Sequence, residues 1–212
     1  MRTSSLVVAI GTLLMIAACS KAPSVPAPLE SVGHHGEDLY DAARAKDWAA
    51  AAAQLDTLKQ AAADLPVTGE RSGQLNASVK SQLVVLATSV ANLDRAAAMR
   101  GANEVTRLAA ELTRAYNPPV PVEITLLDYS GRELELWAEA GDLAKLRDAT
   151  ATMRRTWNTV RPAVEKRPAG PVAAVSFDGL VARAESATTV GNYYAVATPI
   201  LDEVDNLEQL FP

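Results

Sequence analysis

The two histidines of this chain are neighbours, His34 and His35, in the stretch "GHHGED", and Glu37, Asp38 and Asp41 follow closely. Imidazole with carboxylate is a donor set that zinc and copper accept, so His34 and His35 are the candidate metal ligands. Two features oppose that chemistry. Adjacent side chains diverge in an extended chain, and no third imidazole exists anywhere in the sequence. The expectation is solvated linker residues, with no metal and no cofactor. A second constellation lies in "ITLLDYSGRELELWAEAG", residues 124–141. Asp128 and Arg132 stand four apart, the spacing that lets a carboxylate and a guanidinium pair along a helix, and Glu135 extends the set. Asp128, Arg132 and Glu135 are thus the candidate lining of a polar binding groove. The plainer expectation, adopted here, is an outward polar face opposite Ile124, Leu127, Leu134 and Ala138, the usual arrangement on an amphipathic helix.

Catalytic constellations are missing from the sequence. It has no HExxH, no phosphate loop, no dinucleotide-binding glycine motif, and no Glu-x-x-His pair of the kind that di-iron bundles use. A Ser-His-Asp device needs a histidine on a rigid scaffold, and both histidines sit in the expected linker. The acidic residues Asp202, Glu203, Asp205 and Glu208 do not have the spacing of a calcium loop. The expectation is a protein that is not an enzyme.

The elements that carry these residues read as helices. Hydrophobic residues make up 49% of the chain and aromatics only 5%; an apolar fraction rich in alanine and leucine favours helix. Seam residues recur at spacings of three and four, as in Leu143, Leu146, Thr150, Met153, Trp157, Val160 and Val164, or Tyr193, Ala197, Ile200, Val204, Leu207 and Phe211. No stretch alternates with period two. Gly141-Asp142 and Gly191-Asn192 each place a helix-ending glycine before an N-cap residue, and Asp47 and Asn103 look like weaker copies. The fold class expected is all-α, antiparallel helical hairpins packed as an elongated bundle with no sheet. Helices are predicted near 38–46, 47–64, 74–100, 103–116, 121–140, 142–166, 172–189 and 192–211. The proline run at 118–121 divides the body into possible halves, 37–117 and 118–212. The four expected joints are 56, 39 and 50 residues apart, too uneven for a solenoid.

The N-terminus supplies an address. "MRTSSLVVAIGTLLMIAACS" has an early Arg2, an apolar stretch and then small residues, the layout of a secretory signal. Ile16-Ala17-Ala18-Cys19 resembles the lipobox of bacterial lipoproteins. That resemblance implies a signal peptide over 1–18, cleavage before Cys19, and acylation of Cys19, the only cysteine of the chain. It also implies anchoring in the cell envelope. Ser20, rather than Asp, follows the cysteine, which in that family points to the outer membrane facing the periplasm ahead of the inner membrane. Residues 19–36, with Pro23, Pro26 and Pro28, are expected to be a semi-extended tether reaching roughly 50 Å, with the body over 37–212. Loss of Arg2 takes the formal charge from −5 to −6, which argues against nucleic acid and against electrostatic docking on anionic lipid. The functional expectation is a non-catalytic binding or scaffold lipoprotein with an envelope protein as partner. The alternative is a ligand- or metal-capturing lipoprotein that assists uptake.

Overall fold

The structure, a computed structural model, describes residues 23–211. It has eight helices among those residues and no strand: α1 (Ala27–Ala45), α2 (Trp48–Ala63), α3 (Glu70–Ala91), α4 (Arg95–Thr113), α5 (Val122–Ala140), α6 (Leu143–Val164), α7 (Gly170–Glu185) and α8 (Val190–Glu208). The signal peptide and Cys19 lie outside the described residues.

Local chemistry sets most of the joints. Asp47, Asp94 and Asp142 accept from the backbone N–H of Ala50, Ala97 and Lys145, and Thr189 does the same for Asn192. Each satisfies an amide donor left free by the first helical turn. Gly141 takes the left-handed conformation, φ 72°, that closes α5 ahead of Asp142, as expected. Two expected joints are corrected. The break between α3 and α4 comes at Leu93-Asp94, where Leu93 adopts φ 54°, and not at Gly101-Asn103. Gly101 instead lies inside α4, where a Cβ would sit 3.0 Å from Leu86 of α3. Likewise the N-cap of α8 is Thr189, not Asn192.

Each set of four successive helices closes on itself. Helix α1 packs on α2 and α4, and α3 packs on both of those; α5, α6, α7 and α8 repeat the arrangement. Two hydrophobic cores result. One holds Leu29, Val32, Leu39, Leu58, Leu86, Met99 and Val105; the other holds Leu127, Leu134, Met153, Trp157, Phe177, Tyr193 and Ile200. Helices α4 and α5 join the two bundles.

The bundles share one register. Pro26 and Pro121 precede α1 and α5; Asp47 and Asp142 cap α2 and α6; Asp94 and Thr189 cap α4 and α8. Every one of these pairs is 95 residues apart. The buried residues follow the same offset: Leu29 and Ile124, Val32 and Leu127, Leu39 and Leu134, Leu58 and Met153, Val105 and Ile200, Leu112 and Leu207. Even the tight crossings match. A Cβ on Gly36 would meet Thr106 Oγ1 of α4 at 2.8 Å, and one on Gly131 would meet Leu201 Cδ2 of α8 at 2.6 Å. The side-chain caps at 47, 94, 142 and 189 are 47, 48 and 47 residues apart. The uneven spacing read from the sequence came from the two misplaced joints. The body is four helical hairpins of near-constant length, paired into two bundles.

The register also explains the largest correction. Residues 27–36, expected in the tether, are the first half of α1. Pro26 is the N-cap and Pro28 falls in the first turn, where a missing N–H costs no hydrogen bond. Leu29, Val32 and Gly36 are buried. Proline here starts a helix rather than preventing one.

Candidate functional site at the seam between the bundles

The seam is built from equivalent positions of the two repeats. Helix α1 contributes Glu37, Tyr40 and Arg44; α5 contributes Arg132, Glu135 and Glu139 at the same three offsets. Tyr40 Oη donates to Glu135 Oε2 at 2.9 Å, and Arg44 lies 3.6 Å from Glu135 Oε1. The Arg132 guanidinium stacks 4.9 Å over the Tyr40 ring and its Nε lies 3.0 Å from Asp128 Oδ2. Arg95 of α4 grips Glu139 with two bonds of 2.6 and 3.0 Å and donates to the Arg44 carbonyl at 3.2 Å. Glu135 and Glu139, which would repel each other, are thus each joined to a cation from the other bundle.

The expectation of an outward polar face is therefore corrected. Asp128 is 8% exposed and Arg132 has a side chain almost as hidden. The sequence pattern did single out these residues, since their (i, i+4) pair does form. What it missed is their direction and their partners on α1 and α8. Asn103, expected as a cap, is fully buried in mid-helix. It donates from Nδ2 to the Tyr129 carbonyl at 3.2 Å and to Glu133 Oε1 at 3.0 Å, and Glu133 Oε2 in turn accepts from Trp137 Nε1 at 2.6 Å.

Charge in the seam is unevenly matched. Burial pushes the Asp128 carboxyl up, and Arg132 only partly opposes it. Burial acts on Arg132 in the opposite sense, but Asp128 and Glu37 outweigh it and raise its pKa, so the guanidinium stays charged. Glu37 is pushed up to about 7, first by burial and then by the negative charges of Asp128, Glu208 and Asp41, against the pull of Arg132. Glu208 of α8 is raised by burial and by Asp128 and Asp205. Burial and Glu135 also raise the Tyr40 phenol, so it remains a donor. The Arg132–Asp128 contact is poorly aligned for a hydrogen bond, and Arg132 Nη1 has no hydrogen-bond partner among the described residues.

Glu37 borders a small cleft of about 170 Å³ between α1, α4 and the segment before α5. Its walls are mainly apolar, from Val25, Leu29, Ala109, Ala110, Pro118, Val120 and Val122, with Glu30 as the other carboxylate.

The histidines stand on α1 rather than in a linker. His35 Nδ1 lies 2.7 Å from Gln54 Oε1 of α2. Its ring and that of His34 both approach Asp38 Oδ2, at 3.7 and 3.5 Å. Among the described residues, no group of three or more His, Cys, Asp or Glu side chains is arranged to hold a metal ion. No helix among them is long and apolar enough to cross a membrane. Comparison with family models, with curated proteins and with solved structures found no match.

Proposed function

We propose that this protein is a membrane-anchored envelope lipoprotein whose body is a non-catalytic binding or scaffold module. The observation that carries the reading is the seam. The polar residues most suited to chemistry, Tyr40, Arg132, Glu135 and Glu139, are engaged in holding two bundles together. Such a body offers a partner stiff helical faces at fixed separation. Helix α3 presents an uncharged one, with Ser81, Val84, Val85 and Thr88, on which both valines are exposed; protein interfaces are depleted of charge at their centres. The lipobox residues Ile16-Ala17-Ala18-Cys19 supply the anchor in this reading, and Ser20 favours the outer membrane.

The test has two parts. Wild-type protein is expected to incorporate labelled palmitate and to fractionate with membranes, while Cys19→Ala does neither. A photo-crosslinking residue at position 84 or 85, used in living cells, is expected to capture a discrete protein adduct. Failure to capture one from any exposed helix face would refute the scaffold reading.

A specific observation favours one second reading, ligand capture. The apolar cleft ending at Glu37 suits a small apolar molecule carrying a polar group. Saturable binding of such a ligand, abolished by filling the cleft with Ala109→Phe, would put this reading first.

A further inference from the structure

We infer that the end of the body formed by the starts of α1, α3, α5 and α7 rests on the lipid headgroup layer, holding the bundles upright on the membrane. The inference rests on the lipidation of Cys19 proposed above and adds to it which surface meets the bilayer.

The argument begins with the length of the leash. The chain is already fastened at Pro23, whose carbonyl accepts from the Asn117 backbone N–H at 3.1 Å, and Val25 packs against the first core. Between Cys19 and Pro23 stand only three residues, Ser20, Lys21 and Ala22. Four Cα steps span at most about 14 Å even when fully extended. A tether of roughly 50 Å, which would let the body turn freely, is ruled out by the early start of α1.

The antiparallel topology then fixes what lies at this end. A second, smaller cleft, distinct from the one at Glu37, brings Leu29, Leu65, Pro66, Thr68 and Tyr116 together, and a wider groove joins Asn117, Pro119, Pro121, Ala163, Arg167 and Phe211. The start of α1 therefore shares its end with the 64–69, 114–121 and 165–169 connections. The joints at 46–47, 92–94, 141–142 and 186–189 lie at the other end, a helix length away; 19 residues rise about 28 Å. A point held within about 14 Å of the anchor cannot leave the opposite end equally close unless the body lies flat.

The near end has the chemistry for this contact. Val67 is 68% exposed and Val172 is 78% exposed, and Pro119 is exposed at the same end of the body. Exposed Lys166 and Arg167 meet no carboxylate among the described residues, and Arg167 lies 4.2 Å over the Phe211 ring. Exposed apolar side chains and cations at one end suit the boundary between headgroups and acyl chains; exposed Asp64, Glu70 and Glu165 share that end, so the short leash rather than net charge sets the placement.

The test uses the native acylated chain in vesicles of phosphatidylethanolamine and phosphatidylglycerol, doped with a lipid that carries a photoreactive diazirine on its headgroup. Adducts are mapped by mass spectrometry. The expected result is several-fold more adducts in 64–70, 114–121 and 165–175 than in 46–48, 92–95 and 186–190. The double variant V67E/V172E, altered only at exposed positions, is expected to lower the near-end adducts several-fold while still floating with the vesicles. Adducts spread evenly over both ends, or running the length of one helix, would overturn the upright placement even though the protein is anchored. Anchoring is read separately, by intact mass and by flotation against Cys19→Ala. If the chain proves unacylated, the lipidation reading fails. The Cys19 thiol is then coupled to a maleimide lipid, and the same map decides the placement.

Discussion

Replacing Glu37 with glutamine is expected to stabilise the protein at neutral and alkaline pH and to leave it unchanged in mild acid. Glu37 lies on α1 and faces Arg132 and Asp128 of α5 and Glu208 of α8, with Asp41 on its own helix. Burial outweighs the one cation, so the folded state raises its pKa from the ordinary 4.5 to about 7. Between those values the folded chain keeps a proton that the unfolded chain has released. Stability must therefore fall as pH rises through that window and level off above it. At 1.36 kcal/mol per pKa unit the penalty is at most about 3.4 kcal/mol. Glu37 is partly open to solvent, and screening reduces the expected effect to about 2 kcal/mol. Glutamine keeps the shape and cannot ionise. Urea unfolding of wild type and Glu37→Gln should coincide near about pH 4.5 and diverge by about 2 kcal/mol near about pH 8, or about 4–8 °C in Tm for a chain of this size. Asp128 and Glu208, also raised by burial, leave the variant with some slope of the same sign, so the difference between the two proteins is what is read. Parallel curves across the whole range would refute the reasoning, because they would mean that Glu37 is as hydrated in the fold as out of it.

Other outcomes follow from packing. Gly131→Ala should destabilise by about 1–3 kcal/mol, since its Cβ would meet Leu201 Cδ2 at 2.6 Å. Gly179→Ala, on a helix face with nothing within 4 Å, should instead stabilise by up to about 1 kcal/mol; equal effects in thermal melts would contradict the α5–α8 crossing. Trp157→Ala should cost about 3–5 kcal/mol. That indole is fully buried, packs 4.7 Å from Phe177 and donates to Asp178 Oδ1 at 2.7 Å; a change below about 0.5 kcal/mol in chemical unfolding would place it on the surface. Changing His34 and His35 together to alanine should leave zinc and copper titrations by calorimetry unaltered and cost about 1 kcal/mol through the lost Gln54 contact. A sub-micromolar site that vanishes in this double variant would return the metal reading to first place.

What the sequence by itself determined is what local rules govern. The three-and-four spacing of apolar residues specifies helices and their buried stripes, and Trp157 was legible as core for that reason. A cap is settled by residues within a few positions of it, so Asp47 and Gly141-Asp142 could be read directly. Positions whose role depends on a distant neighbour were misread. Gly101 resembles a helix terminus until Leu86 fills the space over it, and the same distance effect hid Asn103, whose partners lie on another helix. Residues 27–36 look like a linker until the core that receives Leu29 and Val32 exists. Asp128, Arg132 and Glu135 carry a helix-surface spacing whether they face water or another bundle. Only the tertiary structure decided that they face α1 and α8, because burial, and the charge matching it demands, is a property of elements far apart in the sequence and not of the helix that carries them.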